Sequence, residues 1–385
     1  MTSYSMPYYQ GRLGLQQRVL PEYRKEFVEL LATVCKDGLS VFAGKPAEHE
    51  QIHAVDYLNN AELSPAENFD LFRIGTSFYQ CWQLGLIDWL ENWQPDILIV
   101  EANPRYRSTR RAINWMHKRD KPILGWGLGA PEIKGKFKGW RYKERERFLN
   151  TLDGLIAYSQ RGAQEYRLMG IPEEKIFISP NATSPKPTSN PPQRSMKFEN
   201  QPTVLFVGRL QERKRIDLLL SACEKLPFHL QPKLWIIGEG PERQTLEELA
   251  EEIYPKTEFL GALFGSELDT LFDAADLFVL PGTGGLAVQQ AMAHALPVVV
   301  ATGDGTQDDL VRSEPYDEDN RNGWIIPAND VDALTNTLLE ALEDPQSLRR
   351  MGDNSFRIVS EEINTQAMVS VFVHAINTIM SGSKE

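Results

Sequence analysis

Cysteine is scarce in this chain, with three among 385 residues (Cys35, Cys81 and Cys223), each far from the others. That spacing excludes a disulfide framework, a zinc knuckle and a paired redox motif, and it is the pattern of reduced thiols inside a cell. Long apolar runs are also missing. No eighteen-residue apolar stretch occurs, so no spanning helix is expected. The opening MTSYSMPYYQ has neither the basic start nor the apolar core of a signal peptide. The expected location is therefore cytoplasmic, soluble or peripheral on the inner face of a membrane. The six histidines are scattered, no cluster has metal-ligand spacing, and no metal and no cofactor is expected.

What is present is enough apolar material for two ordinary domains. The chain is 42% hydrophobic and 24% charged, and its length is too great for one core. The net charge of -12 hides an asymmetry. Between Arg105 and Arg147 stand fourteen Lys or Arg against four Asp or Glu, leaving the remainder strongly acidic. Within that segment KGKFKGWRYKERERF (134–148) interleaves Phe137, Trp140, Tyr142 and Phe148 with cations. This composition suits an anionic phospholipid surface or a polyanionic ligand. A solvated helix partly neutralised by Glu144 and Glu146 is the alternative. The acidic remainder argues against nucleic acid.

Short apolar runs alternate with helical patterns, the signature of parallel sheets with crossover helices, so the fold class is α/β. Strands are expected at 11–17, 39–44, 97–102, 122–127, 154–159 and 176–180. Helical patterns include 22–35 and 107–119. Residues 181–202 then carry Pro, Ser, Thr and Asn without periodicity. The rhythm restarts with strands at 203–208, 233–238, 258–262, 277–282, 296–301 and 323–328. The reading is two doubly wound Rossmann-like domains, 1–184 and 203–362, with a linker at 185–202. Such sheets bind ligands at their carboxyl ends, so a cleft between the domains is the expected site. Met368, Val371, Phe372 and Ile376 mark a last helix within 363–385. Pattern alone leaves open whether it returns to the first domain.

Several motifs carry chemistry. VGRLQERKRIDLLLSA places Gly208 and Arg209 past a strand's carboxyl end and Lys214 five residues after that arginine. These are two cations able to clamp a diphosphate. IIGEGPER sets Glu239, Gly240 and Pro241 in a turn after another strand. VLPGTGGLAVQQAMAHALPVV sets Thr283, Gly284, Gly285 and Leu286 before a helical run. Backbone N–H groups there suit an anion or hydroxyls, although a tight turn alone would also need glycine. Asp304, Asp308 and Asp309 suit helix capping. In the first half Glu101, Asn103 and Arg105 stand at a strand end where an acceptor hydroxyl or phosphate would approach.

Taken in order, VGRLQERKRIDLLL, IIGEGPER, FLGALFGSELDTLFDAADLFVLPG and AMAHALPVVVATGDGTQDDLV closely resemble the donor half of the family-4 retaining glycosyltransferases, which have the GT-B fold. QRVLPEYRKEFVELL, ILIVEANPRYRSTR and IAYSQRGAQEYRLMGIPEEKIFISPNAT resemble the first half of the same family more loosely. The resemblance implies transfer of a hexosyl unit from a nucleotide-diphosphate sugar, with UDP-sugar ahead of GDP-sugar. The acceptor hydroxyl would belong to a glycolipid, lipid-linked or polysaccharide precursor, bound by the first domain. It implies that Arg209 and Lys214 meet the diphosphate. Glu239, Gly240, Pro241, Ala262 and Leu263 would meet the nucleotide, and Thr283, Gly284, Gly285, Leu286 and Gln290 the sugar and ribose. Relatives carry glutamates where this chain has Gly282 and Gln290, and often a histidine where it has Leu128. In retaining transfer the leaving diphosphate takes the acceptor's proton, so positioning and charge stabilisation are what the enzyme supplies. On those departures a non-catalytic or weakly active relative that binds a sugar nucleotide or a polyanion stays open.

Overall fold

Runs of Val, Ile and Leu closed by Gly or Pro form the strands of two separate sheets, each covered by helices on both faces. The structure is a computed structural model. It describes all residues except 1–5, 48, 49, 51, 73, 75, 77, 134, 136, 199, 304, 314, 316–318 and 383–385. The readings made on Lys134, Lys136 and Asp304 therefore lie outside the described residues. The chain divides into two compact units, 1–185 with 365–385, and 186–364.

The first unit's strands are β1 (Leu13–Val19), β2 (Leu39–Gly44), β3 (Glu62–Leu71), β4 (Gln80–Leu84), β5 (Ile97–Glu101), β6 (Ile123–Gly127), β7 (Gly154–Ala157) and β8 (Ile176–Ile178). They line up β4-β3-β2-β1-β5-β6-β7-β8. All pairs are parallel except β3 with β4. The helices α1 (Lys25–Val34), α2 (Leu86–Trp93), α3 (Thr109–His117), α4 (Lys138–Leu149) and α5 (Gln160–Leu168) follow in chain order. β5 is buried from Ile97 through Val100 because helices cover both of its faces, and a continuous apolar run suits such a strand.

The second unit has β9 (Thr203–Val207), β10 (Lys233–Ile237), β11 (Thr257–Gly261), β12 (Leu277–Leu280), β13 (Val298–Ala301) and β14 (Gly323–Ile326), all parallel, in the order β11-β10-β9-β12-β13-β14. Its helices are α6 (Ile216–Lys225), α7 (Arg243–Ile253), α8 (Gly265–Ala274), α9 (Ala287–Ala293), α10 (Val331–Glu343) and α11 (Pro345–Glu361). In each sheet the winding reverses beside the first strand, between β1 and β5 and between β9 and β12. Open parallel sheets bind ligands at the carboxyl ends flanking such a reversal.

The structure differs from the sequence reading in two places, the β3–β4 edge and the linker, and places the last helix, which that reading left open. β3 and β4 form an antiparallel edge that the alternating pattern did not reveal. The last helix, α12 (Thr365–Gly382), packs in the first unit: Phe372 lies 4.8 Å from Phe27 and 5.0 Å from Trp126, ring to ring. The expected linker 185–202 is fastened to the second unit. Arg194 donates to the carbonyls of Phe272, Ala275, His294 and Ala295 at 2.8–3.1 Å, and Arg349 donates to the Ser195 carbonyl at 2.8 Å.

Candidate functional site

Four loops at the carboxyl edge of the second sheet are locked together around Lys214. After β9, the turn Glu212–Lys214 bends the chain so that Lys214 is buried, 5% exposed. Arg215 follows in the left-handed region at φ +53°, a strained conformation for a residue with a Cβ. The loop after β12 lies directly on this turn. The Thr283 N–H donates to the Arg213 carbonyl at 3.0 Å, and the Arg213 guanidinium donates to the Thr283 carbonyl at 3.0 Å. Lys214 Nζ donates to the Gly284 carbonyl. After β10, the Gly238–Gly240 turn packs on the β9 loop. A Cβ on Gly238 would stand 2.0 Å from the Gly208 carbonyl oxygen, and one on Gly240 2.1 Å from that of Leu210. Only glycine permits so close an approach.

Electrostatically this edge is poised for an anion. Burial first, and the neighbouring charge of Arg213 second, push the Lys214 ammonium down from 10.5 to about 8. Among the described residues no carboxylate lies within 4.0 Å of it. Arg209 is half-buried, and its guanidinium has no hydrogen-bond or ion-pair partner among the described residues. A buried ammonium without a carboxylate partner is unfavourable in isolation, and an anion set against it would offset that cost.

The structure groups some of the expected donor residues and separates others. Gly208, Lys214, Thr283 and Gly284 come together: a Cβ on Gly208 would meet Lys214 Cε at 3.9 Å, and one on Gly284 would meet its Nζ at 4.0 Å. Glu239 pairs with Arg243, and both stand against Gly261, whose carbonyl accepts from the Gly238 N–H at 2.8 Å. Pro241 and Ala262 are exposed and Leu263 is half-buried against the core. Gln290 lies on α9 and donates to Asp269 of α8 at 3.4 Å. Leu286 is exposed, and Gly285 packs so closely on Leu280 that a Cβ there would stand 2.5 Å from Leu280 Cδ2.

One expectation is corrected. The Gly284 N–H does not face outward; it donates to Gln307 Oε1 at 2.9 Å. Gln307 is 1% exposed. Its amide nitrogen also donates to the carbonyls of Gly282, at 3.3 Å, and Ala301. The glycine loop thus owes its shape to a buried glutamine that sequence reasoning missed, because no local pattern marks a residue whose partners lie on other strands. Gln307→Ala removes the partner of a part-buried N–H and of two carbonyls, an expected loss of about 1–3 kcal/mol. A lowered melting temperature together with weaker UDP binding in a calorimetric titration is the expected result.

In the first unit, the loop after β5 carries Glu101, Asn103 and Arg105. Asn103 Oδ1 accepts from the Arg105 N–H at 3.1 Å. Glu101 is less an open ligand group than a brace. Its Oε2 accepts from the Arg18 N–H at 2.6 Å. Burial raises its pKa, against the hydrogen bond and charge of Arg18 and the charge of Arg24. A cavity of about 350 Å³ opens here, lined by these three residues together with Trp126, Leu128, Arg145 and Tyr158. Leu128 therefore lies in the cavity where relatives often have histidine.

Two units of this kind, each a doubly wound, largely parallel sheet, define a protein of the GT-B fold. Residues 189–357 match the family model Glycosyl transferases group 1. The chain is 33% identical over 155 residues to the sulfoquinovosyl transferase SQD2 of Arabidopsis thaliana, covering 40% of this chain and 29% of that protein. It is 28% identical over 250 residues to the putative colanic acid biosynthesis glycosyltransferase WcaL of Salmonella typhimurium, 61% of this chain and 59% of that one. The chain thus spans less than two thirds of the length of these curated relatives. The solved structure of Anabaena HepE in complex with UDP superposes with a TM-score of 0.67 at 17% identity, covering 96% of this chain and 99% of that chain.

Proposed function

We propose that this protein is a retaining glycosyltransferase that moves a hexosyl unit from a nucleotide-diphosphate sugar, UDP-linked ahead of GDP-linked, to an acceptor hydroxyl on a glycolipid, lipid-linked or polysaccharide precursor. The observation that carries the reading is Lys214, a buried ammonium without a carboxylate partner, set beside Gly208 and Gly284 in a group 1 glycosyl transferase segment. In the reaction the bond between the anomeric carbon and the β-phosphate oxygen breaks and the acceptor oxygen bonds to that carbon. The acceptor's proton passes to the departing diphosphate. Arg209 and Lys214 stabilise the charge that develops there. Glu239 and the Gly261–Leu263 segment take the nucleoside, Thr283, Gly285, Leu286 and Gln290 the sugar and ribose, and Asn103 and Arg105 the acceptor. The nucleotide sugar is the substrate, and no separate cofactor enters the scheme.

The similar proteins support the classes chosen, with UDP in the HepE complex and colanic acid in WcaL. An anionic membrane surface is a further partner under this reading, because Phe137, Trp140 and Tyr142 are exposed among cations at α4. Among the described residues no helix is long and apolar enough to cross a membrane. Calorimetric titration with UDP and GDP tests the donor half. Saturable UDP binding that weakens roughly tenfold or more in Arg209→Ala is expected, since a charge-assisted contact is worth about 1.5–3 kcal/mol. Equal affinity in wild type and variant would remove the assignment. Release of UDP from UDP-sugars separates a transferase from a binding-only relative.

A further inference from the structure

A second cavity, of about 290 Å³, lies beside α4 and shares Pro104, Arg105 and Arg145 with the cavity at Asn103. We propose that it binds an amphiphile, its phosphoryl head on the guanidiniums of Arg105, Arg141 and Arg145 and its chain along Phe78, Phe137 and Trp140, and that this amphiphile is the acceptor. This rests on the glycosyltransferase reading and narrows its acceptor to a phosphate-bearing lipid.

At the polar end Arg105 and Arg145 have no ion-pair partner among the described residues. Glu144, the acidic residue lining the cavity, is already held by Arg107 at 2.5 Å and Arg110 at 3.3 Å. Arg105 has no side-chain partner among the described residues. Arg145 donates to the Pro131 carbonyl at 2.5 Å, a contact that fixes the side chain without neutralising it. Burial, then the charges of Arg105 and Arg141, lower its pKa; Glu165 opposes this, but it also lies 3.5 Å from Arg161. Guanidiniums that crowd one another in this way favour a phosphoryl group, which accepts forked hydrogen bonds.

The apolar end continues past the cavity. Phe137 is 68%, Trp140 63% and Phe78 59% exposed, and Phe72, also exposed, lies 6.4 Å from Phe78. One or two rings suffice to stack on a sugar. A wall that runs on to the β3–β4 edge suits a hydrocarbon chain. A polyanion is disfavoured by the net charge of -12, which is more negative still outside this segment.

The test is a titration of the full chain, followed by tryptophan fluorescence and calorimetry, with n-octyl phosphate below its micelle concentration, n-octyl β-glucoside and inorganic phosphate. Octyl phosphate should bind roughly tenfold more tightly than either of the others, each of which lacks one half of the recognised group. Arg145→Gln should abolish the preference over the glucoside. Trp140→Ala should abolish the preference over inorganic phosphate, while Trp140→Phe should keep it. Thermal melts check that each variant is folded. Equal binding of octyl phosphate and octyl glucoside, or variants that match wild type, would overturn the proposal. So would sedimentation with phosphatidylglycerol vesicles without binding of monomeric octyl phosphate, since the surface alone would then be recognised. A parallel UDP titration of the wild type reads the donor unit separately: UDP binding without octyl phosphate binding sinks this inference alone, whereas no UDP binding sinks the glycosyltransferase reading.

Discussion

Replacing Lys214 by Met should raise the melting temperature of the free protein while weakening UDP binding by roughly ten- to a hundredfold, the range expected for losing a buried charge-assisted contact. The two effects have one origin. In the free protein the ammonium is buried and lacks a carboxylate, and burial lowers it from 10.5 to about 8. That depression corresponds to about 3.5 kcal/mol of unfavourable free energy for the charged form, at about 1.4 kcal/mol per unit. The hydrogen bond to the Gly284 carbonyl offsets part of it. Methionine keeps the length and packing and removes the charge.

The pH dependence follows from the same group. Between pH 8 and 10.5 the unfolded chain holds a proton on Lys214 that the folded chain has released, so stability rises with pH across that window. Nucleotide binding runs the other way. The diphosphate needs the ammonium, so affinity should fall as pH rises through about 8. Above that pH, binding should take up a proton, measurable as a calorimetric enthalpy that depends on the buffer. A wild-type affinity that is flat from pH 7 to 9.5, or a Lys214→Met variant that melts below wild type with unchanged affinity, would show that Lys214 is ordinary packing.

Much of this architecture is legible because parallel strands covered on both faces must be apolar throughout. Apart from β1, which carries Gln16, Gln17 and Arg18, and the edge strand β11, exposed or half-buried throughout, the strands legible in the sequence are legible for that reason. β3 and β4 escape the same logic. ELSPAENFDL carries Pro65 and charged residues, its side chains are exposed or half-buried throughout, and it lies next to the sheet edge, where burial does not select for apolar residues. The segment before β9 reads as a linker because Pro and Ser dominate it. Its attachment depends on Arg194 reaching four carbonyls that are 78–101 residues away in sequence. The donor loops divide similarly: Arg209 and Lys214 stand in a recognisable motif, whereas the burial of Lys214 and the role of Gln307 depend on loops that meet only in the fold.

Gly282 decides whether the missing carboxylate is a loss that one substitution could reverse. A Cβ at this position would stand 2.2 Å from the Arg213 carbonyl oxygen and 2.5 Å from the Lys214 carbonyl carbon, closer than van der Waals contact allows. These are backbone atoms of a turn held by the reciprocal Arg213–Thr283 hydrogen bonds, so they cannot rotate aside as a side chain would. Gly282→Glu should therefore push the β9 turn off the glycine loop. It should lower the melting temperature and abolish UDP binding, in place of restoring a sugar contact. Gly282→Ala should produce most of the same loss, because the conflict begins at Cβ; overpacking of this kind costs about 1–3 kcal/mol or more. Gln290→Glu makes the useful contrast. Gln290 is half-buried on a helix and its amide faces Asp269, so the new carboxylate meets a like charge but no backbone. Folding should survive with a modest loss of stability. Circular dichroism, melts and UDP titrations of the three variants measure this order. A Gly282→Glu protein that folds and binds UDP as well as wild type would mean that the turn yields, and that the space for the carboxylate is still there.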